Sequence, residues 1–299
     1  MQDDIAGLIA GIPALAGWND PAQRLGGLTN RVYRLGDAIL RVPGEGTAGY
    51  IDRDAEAVAA VAAAQAGVSP AVLYNDPASG IMVTRYVAGT VTMTPHAFRN
   101  RPGAPARAAL ALRHLHQSGQ VFATRFDLFA MIDDYLSLLS DKAVALPDGY
   151  HAVLEEAEAV RAALARNPAP VVPCHCDPLC ENFLDTGSRM WIVDWEYSGM
   201  NDPMWDLGDL SVEAEFNQGQ DDAMLDAYFD GPAPDHDRAR MVIHKAMCDL
   251  LWTLWGLIQV ANANPADDFH AYANTRFARC RRLMASAVFG HHLAVLQGK

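Results

Sequence analysis

The hydrophobic pattern of the 299-residue chain changes its period near residue 89, and this change limits the possible folds more than any other feature. Upstream, apolar and polar residues alternate on either side of a Gly-Asp pair at 36–37, which predicts a β-hairpin. Residues 54–66 then form an Ala-rich helix pattern, and 81–87 form a short β-rich run. The first part of the chain therefore predicts a small sheet with one helix.

Downstream, the apolar residues recur with the longer period of helices. The predicted helices are 104–117, 128–140, 149–166, 220–229 and 238–260, interrupted by two strand-like pieces at 171–172 and 190–193. We therefore predict an α+β, bilobal fold with a small β-rich N-terminal lobe, residues 1–88, and a larger, mostly helical C-terminal lobe, residues 89–299. A cleft between two lobes is a usual place for a ligand.

The charge balance excludes some partners. The chain has 36 Asp and Glu against 23 Lys and Arg, a formal net charge of -13. Recognition of phosphate-rich surfaces depends on clustered Lys and Arg, so we expect no nucleic acid and no anionic membrane as partner. The most apolar stretch, 246–260, is too short to span a bilayer and carries Asp249 and Gln259. We predict a buried helix there, with no membrane insertion.

The first fifteen residues carry Asp3 and Asp4 without a basic region, so they do not resemble a secretory signal. The five cysteines are an odd number without the spacing of a disulfide framework. Both features favour a reducing, cytoplasmic location.

The segment 174–183 contains the pattern H-x-D-x-x-x-x-N, and a second Asp follows an apolar strand. Phosphoryl transfer needs a carboxylate that accepts the hydroxyl proton, and an Asn and an Asp whose oxygens hold Mg²⁺ against the nucleotide phosphates. The sequence therefore predicts Asp177 as the base and Asn182 and Asp194 as metal ligands. The alternative for the isolated pattern is a capped loop in which Asp and Asn satisfy backbone groups.

Three cysteines and a histidine lie close together in the same segment, at Cys174, His175, Cys176 and Cys180. This spacing raises the alternative of a zinc site. Structural zinc sites usually join two separated C-x2-C pairs, and the chain has no second pair. Buried thiols without a chemical role are the favoured interpretation.

The N-terminal part supplies candidate nucleotide-binding residues. A glycine turn allows backbone N–H groups to approach phosphates, although it lacks the G-K-[ST] ending of a Walker A loop. Arg41 on the outgoing hairpin strand could contact phosphates, with Glu56 on the next helix as its ion-pair partner; the alternative is a solvated surface pair. The residues predicted for the turn are Gly26, Gly27, Thr29 and Asn30.

Together these segments resemble the choline/ethanolamine kinase branch of the aminoglycoside phosphotransferase-like, protein-kinase-like superfamily. The resemblance runs from about Leu25 to Phe277 and is strongest over 174–210. The segment Leu-Gly-Gly-Leu-Thr-Asn at 25–30 resembles the nucleotide loop of the family, and Leu-Arg-His-Leu-His at 112–116 resembles its L-x-x-L-H segment. In this family an Arg replaces the lysine of protein kinases, which matches Arg41.

The resemblance implies ATP and Mg²⁺ as cofactors, with Asp177 as the catalytic Asp and Asn182 and Asp194 as Mg²⁺ ligands. It places adenine against the linker strand, at Thr84, Tyr86 and Val87. The alcohol pocket of the family matches the following residues: Tyr197 after D-[FW]-E, Glu213 after Asp206, Trp252 and Trp255 in W-x-x-W, and Tyr272. Gln218 stands where choline kinases often have another Tyr.

The spacing of the two tryptophans puts them on one helix face, where with Tyr197 and Tyr272 they could surround a quaternary ammonium. Glu213 would add a carboxylate. The alternative is that the tryptophans are simply core. Seven acidic residues also crowd one segment, and we expect them to attract Mg²⁺ and a cationic alcohol. They are Asp177, Asp194, Glu196, Asp202, Asp206, Asp209 and Glu213.

The sequence thus predicts a kinase that phosphorylates the hydroxyl of choline or a related small cationic amino alcohol. Phosphorylation of ethanolamine, thiamine or an aminoglycoside is the alternative within the enzyme class, with a carboxylate-lined pocket favouring an aminoglycoside. A non-catalytic pseudokinase that only binds its ligand is the alternative from another class. It would be expected to lack Asp177, Asn182 or Asp194. The sequence leaves the oligomeric state open.

Overall fold

The computed structural model describes residues 5–19, 21–25, 30–44 and 51–299. Its strands are β1 Gln23–Arg24, β2 Asn30–Leu35, β3 Ala38–Pro43, β4 Val72–Asp76, β5 Ile81–Arg85, β6 Val91–Thr92, β7 Val172–Cys174, β8 Phe183–Asp185, β9 Met190–Ile192 and β10 Gly199–Asn201. Its helices are α1 Ile5–Ala10, α2 Arg53–Gln65, α3 Pro95–Asn100, α4 Ala104–His116, α5 Leu128–Ser140, α6 Tyr150–Arg166, α7 Pro203–Glu213, α8 Gln218–Phe229, α9 Asp235–Ala261, α10 Phe269–Met284 and α11 Ala287–Leu296.

The N-terminal part forms a five-stranded antiparallel sheet in the order β1-β2-β3-β5-β4. The predicted hairpin is confirmed: Leu35 pairs with Ala38 across a turn in which Gly36 has a φ of 57°. This left-handed conformation is easily adopted by glycine, and a side chain at Gly36 would also meet the ring of Trp18. The alternating apolar residues of β2 and β3 face one core, in which Leu40 and Val83 are fully buried.

Strand β4 was not predicted, and β5 is shorter than predicted. β4 alternates weakly and has no fully buried residue, so its pattern resembles that of a loop. β5 ends at Arg85, because Tyr86 donates its N–H to the Asp37 carbonyl outside the β3 ladder. The mixed α+β fold is confirmed. The division into lobes at residue 88 stays a prediction.

Helix α9 lies at the centre of the helical part and packs against α5, α6, α7, α10 and α11. It is longer than predicted, since it begins at Asp235 and ends at Ala261. Its length and composition would allow it to cross a membrane, but 83% of its most apolar window is buried inside the protein. The predicted buried helix is therefore confirmed, although its length was underestimated.

Three long helices were not predicted: α7, α10 and α11. α7 contains buried acidic residues, and α10 is polar over most of its surface, which hides the apolar stripe of each helix. α7 begins where the Asp202 side chain accepts the N–H of Met204, and Pro203 occupies its first turn. Both are helix-start signals that the sequence offered. The strand-like pieces at 171–172 and 190–193 correspond to β7 and β9, which pair with the unpredicted β10 and β8.

A buried carboxylate joins the β8–β9 hairpin to α4 and to the loop before it. Asp185 accepts hydrogen bonds from Arg107 at 2.9 and 2.7 Å, from Arg101 at 2.7 Å and from the N–H of Gly187 at 2.9 Å. Burial alone would raise the pKa of Asp185, but these arginine and backbone donors lower it to about 2.

We expect Asp185→Asn to lower the free energy of unfolding by about 3–5 kcal/mol, since it leaves two guanidinium groups without their anion. Because the folded pKa is depressed, the wild-type contribution is fully present above pH 4 or so and is lost as the pH falls towards about 2. Urea unfolding at pH 7 and pH 3 measures both effects. Equal urea midpoints for the wild type and the variant at pH 7 would contradict this prediction.

Candidate active site

The predicted catalytic loop follows β7 and is fixed by a carboxylate from α7. The two oxygens of Asp206 accept the backbone N–H groups of His175 and Cys176, both at 2.8 Å. The same carboxylate is hydrogen-bonded to the Nε2 of His116 at 2.9 Å. Cys176 has a φ of 66°, a left-handed conformation that is unfavourable for a residue other than glycine. The hydrogen bonds to Asp206 therefore hold the backbone in a turn that would be strained on its own.

This loop presents Asp177 and Asn182. The Asn182 amide donates to the Asp177 carbonyl at 3.0 Å, which fixes the amide nitrogen and leaves the oxygen as an acceptor. Burial raises the pKa of the Asp177 carboxyl well above its usual range, and the carboxylates of Asp209 and Glu213 raise it further. A carboxylate with a raised pKa is a better proton acceptor at neutral pH than an ordinary Asp.

Asp194 meets the N-terminal sheet at an arginine. Arg41 on β3 contacts the Asp194 Oδ1 at 2.9 Å through its Nη1, which also forms an ion pair with Glu56 of α2. Burial would lower the pKa of Arg41, but Asp194 and Glu56 raise it above its ordinary value, so the side chain stays charged. The predicted pair of Arg41 and Glu56 is thus a buried contact, not a solvated one.

Two donors of Arg41 are left over. Its Nε and Nη2 are buried and have no hydrogen-bond partner in the part of the chain that the structure describes. Unmet donors on a buried cation are costly unless an anion meets them. They fit the phosphate groups of a nucleotide.

The oxygens of Glu56, Asp194 and Glu196 lie within 4.8 Å of one another. Glu196 also accepts a hydrogen bond from the Asn30 amide at 3.2 Å and contacts Arg53 at 3.3 Å. Carboxylate and amide oxygens are the ligands that Mg²⁺ prefers. Asp194 and Asn182, the predicted ligands, offer oxygens of these two kinds, so their chemistry fits this ion.

The other nucleotide-binding candidates are only partly described. Gly26, Gly27 and Thr29 lie outside the described residues. Thr84 lies on β5 opposite Ile39 of β3, and Tyr86 carries the Arg34 guanidinium 3.8 Å from its ring centroid. The carbonyl of Val87 accepts the Thr90 hydroxyl at 3.0 Å. The adenine site at these residues stays a prediction.

Four predicted aromatic residues form one contiguous cluster, which we call the aromatic cluster: Tyr197, Trp252, Trp255 and Tyr272. The rings of Tyr197 and Trp252 are 5.3 Å apart, and those of Trp255 and Tyr272 are 5.6 Å apart. The Trp255 indole donates to the Tyr197 hydroxyl at 2.8 Å and links the two pairs. Gly256 permits this packing, since a Cβ there would lie 2.7 Å from the Tyr272 ring.

The predicted carboxylate Glu213 is already paired. Its Oε1 contacts the Nη2 of Arg276 on α10, and the Nη1 of Arg276 lies 3.3 Å from Asp249. Arg279 binds Asp249 through two bonds of 2.6 and 2.5 Å. The Arg276 guanidinium also lies 4.6 Å from the Tyr272 ring centroid. An internal cation thus occupies groups that were predicted to receive the substrate cation.

Arg276 and Arg279 were not predicted as site residues. Both lie on α10, which was not predicted as a helix, and their partners are far away in sequence. A helical repeat at Phe269, Ala273, Phe277 and Cys280 would have revealed α10 and placed the two arginines on its neighbouring positions.

We call the linked ion pairs of Glu213, Arg276, Asp249 and Arg279 the ion-pair ladder. A cavity of about 350 Å³ opens beside it. Of the five predicted alcohol-pocket residues, Glu213 and Tyr272 line it. Trp252 is only 3% exposed and belongs to the main core cluster. Its indole donates to Asp209 at 3.1 Å. Trp252 therefore lies in the predicted aromatic cluster and is also a core residue, as the alternative interpretation expected.

The predicted field of seven acids needs correction. Asp202 is paired with Arg240 at 2.7 Å and with His244 at 3.0 Å, and Asp206 is used by backbone donors. Together with Glu213, these acids are compensated inside the protein. The seven acids therefore do not act together as one uncompensated negative charge on a substrate.

All five cysteines are free and buried. Among the described residues, no group of ligand atoms within 4.8 Å combines Cys174, Cys176 and Cys180. Cys174 instead neighbours His116 and Asp206, and both ring nitrogens of His116 are hydrogen-bonded, to Asp206 and Tyr228. Burial raises the pKa of the Cys174 and Cys176 thiols, which disfavours the thiolates that zinc requires.

Residues 21–242 match the model of the phosphotransferase enzyme family, APH. A choline/ethanolamine kinase family protein from Mesorhizobium loti is 63% identical, with a TM-score of 0.93 over 99% of both chains. Choline kinase LicA from Streptococcus pneumoniae is 26% identical, with a TM-score of 0.80 over 94% of this chain and 99% of its own. Protein LicA of Haemophilus influenzae is 28% identical over 279 residues, 88% of this chain and 80% of the relative.

These matches extend over the sheet, the catalytic loop and most of the helical part. The matched region includes Asp177 on its loop, the buried Arg41 and part of the aromatic cluster. The chain therefore belongs to the phosphotransferase enzyme family and is a small-molecule kinase that phosphorylates an alcohol.

Proposed function

We propose that the protein transfers the γ-phosphoryl group of ATP to the hydroxyl of choline or a closely related amino alcohol, and that Mg²⁺ is required. The observation that carries the proposal is the aromatic cluster, which lies beside the acids that act on Asp177. Aromatic faces attract a quaternary ammonium and need no N–H donor from it, and the ammonium of choline has none. Each good contact of this kind contributes about 0.5–2 kcal/mol.

The phosphate end is built around Arg41. Its two unmet donors orient the phosphates, and Glu56 holds the guanidinium in position. Asn182 and Asp194 would hold Mg²⁺, which supplies positive charge to the phosphate oxygens when bound. Asp177 accepts the proton of the alcohol hydroxyl as that oxygen attacks the γ-phosphorus.

Assay of ADP release over choline, ethanolamine, thiamine and an aminoglycoside tests the acceptor. We expect the highest kcat/KM for choline, together with loss of turnover in EDTA and recovery when Mg²⁺ is added in excess. Because the ladder at Glu213 already neutralises carboxylates, a polycationic aminoglycoside should be a poor acceptor. A preference for the aminoglycoside would contradict the proposal, and so would ADP release no higher than in the blank without alcohol.

A further inference from the structure

The acidic residues near the aromatic cluster are not equally available to a cation. Glu213 and Asp249 on one side are matched by Arg276 and Arg279 on the other, in a continuous ladder of ion pairs. Two carboxylates and two guanidinium groups leave no net charge. This ladder therefore contributes little field to the pocket, although Glu213 lines the cavity.

Asp209 differs from these acids. It lies one helical turn before Glu213 on α7 and has no exposed surface. Its Oδ2 accepts the indole N–H of Trp252 at 3.1 Å. Its Oδ1 has no hydrogen-bond partner among the residues that the structure describes, apart from the weakly donating Cys248 thiol beside the carboxylate. A buried carboxylate oxygen without a partner is costly to the folded protein.

The indole of Trp252 alone does not require a carboxylate at position 209. An amide oxygen of the same shape would accept the same hydrogen bond at a lower cost of burial. What the carboxylate adds is negative charge. A negative group at the N–H of an indole also polarises the ring and makes its face more attractive to a cation.

The position of this charge relates it to the reaction centre. Among the charged groups that act on Asp177, Asp209 acts most strongly, ahead of Glu213. Asp206, three residues earlier on α7, binds the backbone N–H groups of His175 and Cys176, so α7 carries Asp209 past the loop of Asp177. Through Trp252, Asp209 also lies beside the aromatic cluster. This is where the ammonium of an amino alcohol would lie when its hydroxyl meets Asp177.

We propose that Asp209, and not the ion-paired Glu213, supplies the uncompensated negative charge that selects a cationic alcohol, acting on the ammonium partly through the indole of Trp252. This inference rests on the proposed function for the nature of the acceptor. Asp209 is a positioning and specificity residue, because its buried carboxylate acts through Trp252 and through its field.

A comparison of two alcohols of equal shape tests the inference. Choline and 3,3-dimethylbutan-1-ol differ by the replacement of the charged nitrogen with carbon. We expect Asp209→Asn to lower the ratio of kcat/KM for choline over that for the neutral alcohol by about tenfold or more, mainly through KM for choline. A purely structural role would lower kcat/KM equally for both alcohols. The ratio would then stay unchanged, which would overturn the inference.

Two further variants make the test independent of folding. Asp133→Asn removes an exposed carboxylate on α5 and should keep the ratio, since its charge is screened by solvent. Trp252→Phe keeps an aromatic face but breaks the link to Asp209, and it should also lower the ratio. If Asp209→Asn does not fold, an unchanged ratio in Trp252→Phe overturns the inference.

Binding of tetramethylammonium, followed by tryptophan fluorescence, separates this inference from the proposed function. We expect Asp209→Asn to weaken this binding about tenfold. If the wild type binds tetramethylammonium more tightly than Asp209→Asn does but does not phosphorylate choline, the proposed function is wrong and the inference stands. If the wild type does not bind the cation, or if the variant binds it equally well, the inference is wrong.

The pH dependence provides an additional measurement. Burial and the Glu213 carboxylate raise the pKa of Asp209 well above its usual range, while Arg276 lowers it; titratable groups that also face it are Asp177, Cys176, Cys248 and Tyr272. Because a cation prefers the ionised carboxylate, the choline-to-neutral ratio should rise with pH in the wild type. Titration of Asp177 occurs in the wild type and in Asp209→Asn alike, so comparing the two pH profiles removes its contribution. A rise of equal size in Asp209→Asn would contradict the inference.

Discussion

Replacement of Asp177 by asparagine is expected to lower kcat for alcohol phosphorylation by about 10²- to 10⁴-fold. The amide keeps the shape of the side chain but cannot accept the proton of the attacking hydroxyl. The loop itself should stay in place, because its contacts to Asp206 and Asn182 involve backbone groups of the loop and not the Asp177 carboxyl. Steady-state ADP release gives kcat, and binding of a fluorescent ATP analogue checks that the nucleotide site is intact.

Glu181 offers a matched control for this variant. It lies on the same loop and is exposed, so Glu181→Gln makes the same chemical change without reaching the acceptor. We expect its kcat to stay within about threefold of the wild type, as is usual for surface substitutions. If Asp177→Asn keeps more than a tenth of the wild-type kcat, Asp177 is not the base.

The candidate residues of the reaction end could be located from the sequence because they are close together along the chain, and their roles stay predictions. Asp177, Asn182 and Asp194 lie within one segment, and the spacing of a short loop and a hairpin leaves them few alternative positions. The two tryptophans were predictable for a similar reason, since residues three apart share one face of any helix. In each case the local spacing determines which residues share a loop or a helix face.

The acceptor end was less predictable, because its charges are matched over long sequence separations. Whether Glu213 is free or paired depends on Arg276, and the contact requires α7 and α10 both to pack against α9. A sequence shows how many acids a segment holds, but not which of them are neutralised. For this reason the segment looked like one acidic field, and the particular position of Asp209 became visible only from the structure.

Buried carboxylates have three different roles in this protein. Asp185 joins the β8–β9 hairpin to two arginines, Asp206 fixes the backbone of the catalytic loop, and Asp209 retains an unmatched oxygen. Their donors distinguish them, since guanidinium groups compensate the first, backbone N–H groups and a histidine compensate the second, and an indole satisfies only half of the third. The surplus of acidic residues therefore serves structure as well as substrate binding.

Asp206→Ala is expected to reduce both stability and turnover. The substitution leaves the N–H groups of His175 and Cys176 and the His116 ring without their buried acceptor, which should lower the free energy of unfolding by about 3–5 kcal/mol. The left-handed turn at Cys176 would relax, and Asp177 would move with it. A displacement of the base by about 1 Å is enough to lower kcat roughly 10²-fold.

A loss of stability alone could also reduce activity, so the comparison needs a variant with a similar defect elsewhere. Asp221 on α8 is buried and accepts from Ser211 and Lys245, away from the catalytic loop. Asp221→Asn should therefore be destabilised, yet keep a kcat close to that of the wild type when it is assayed well below its unfolding temperature. If Asp206→Ala also keeps the wild-type kcat under those conditions, then Asp206 stabilises the fold without positioning the base, and the relaxed turn at Cys176 does not move Asp177.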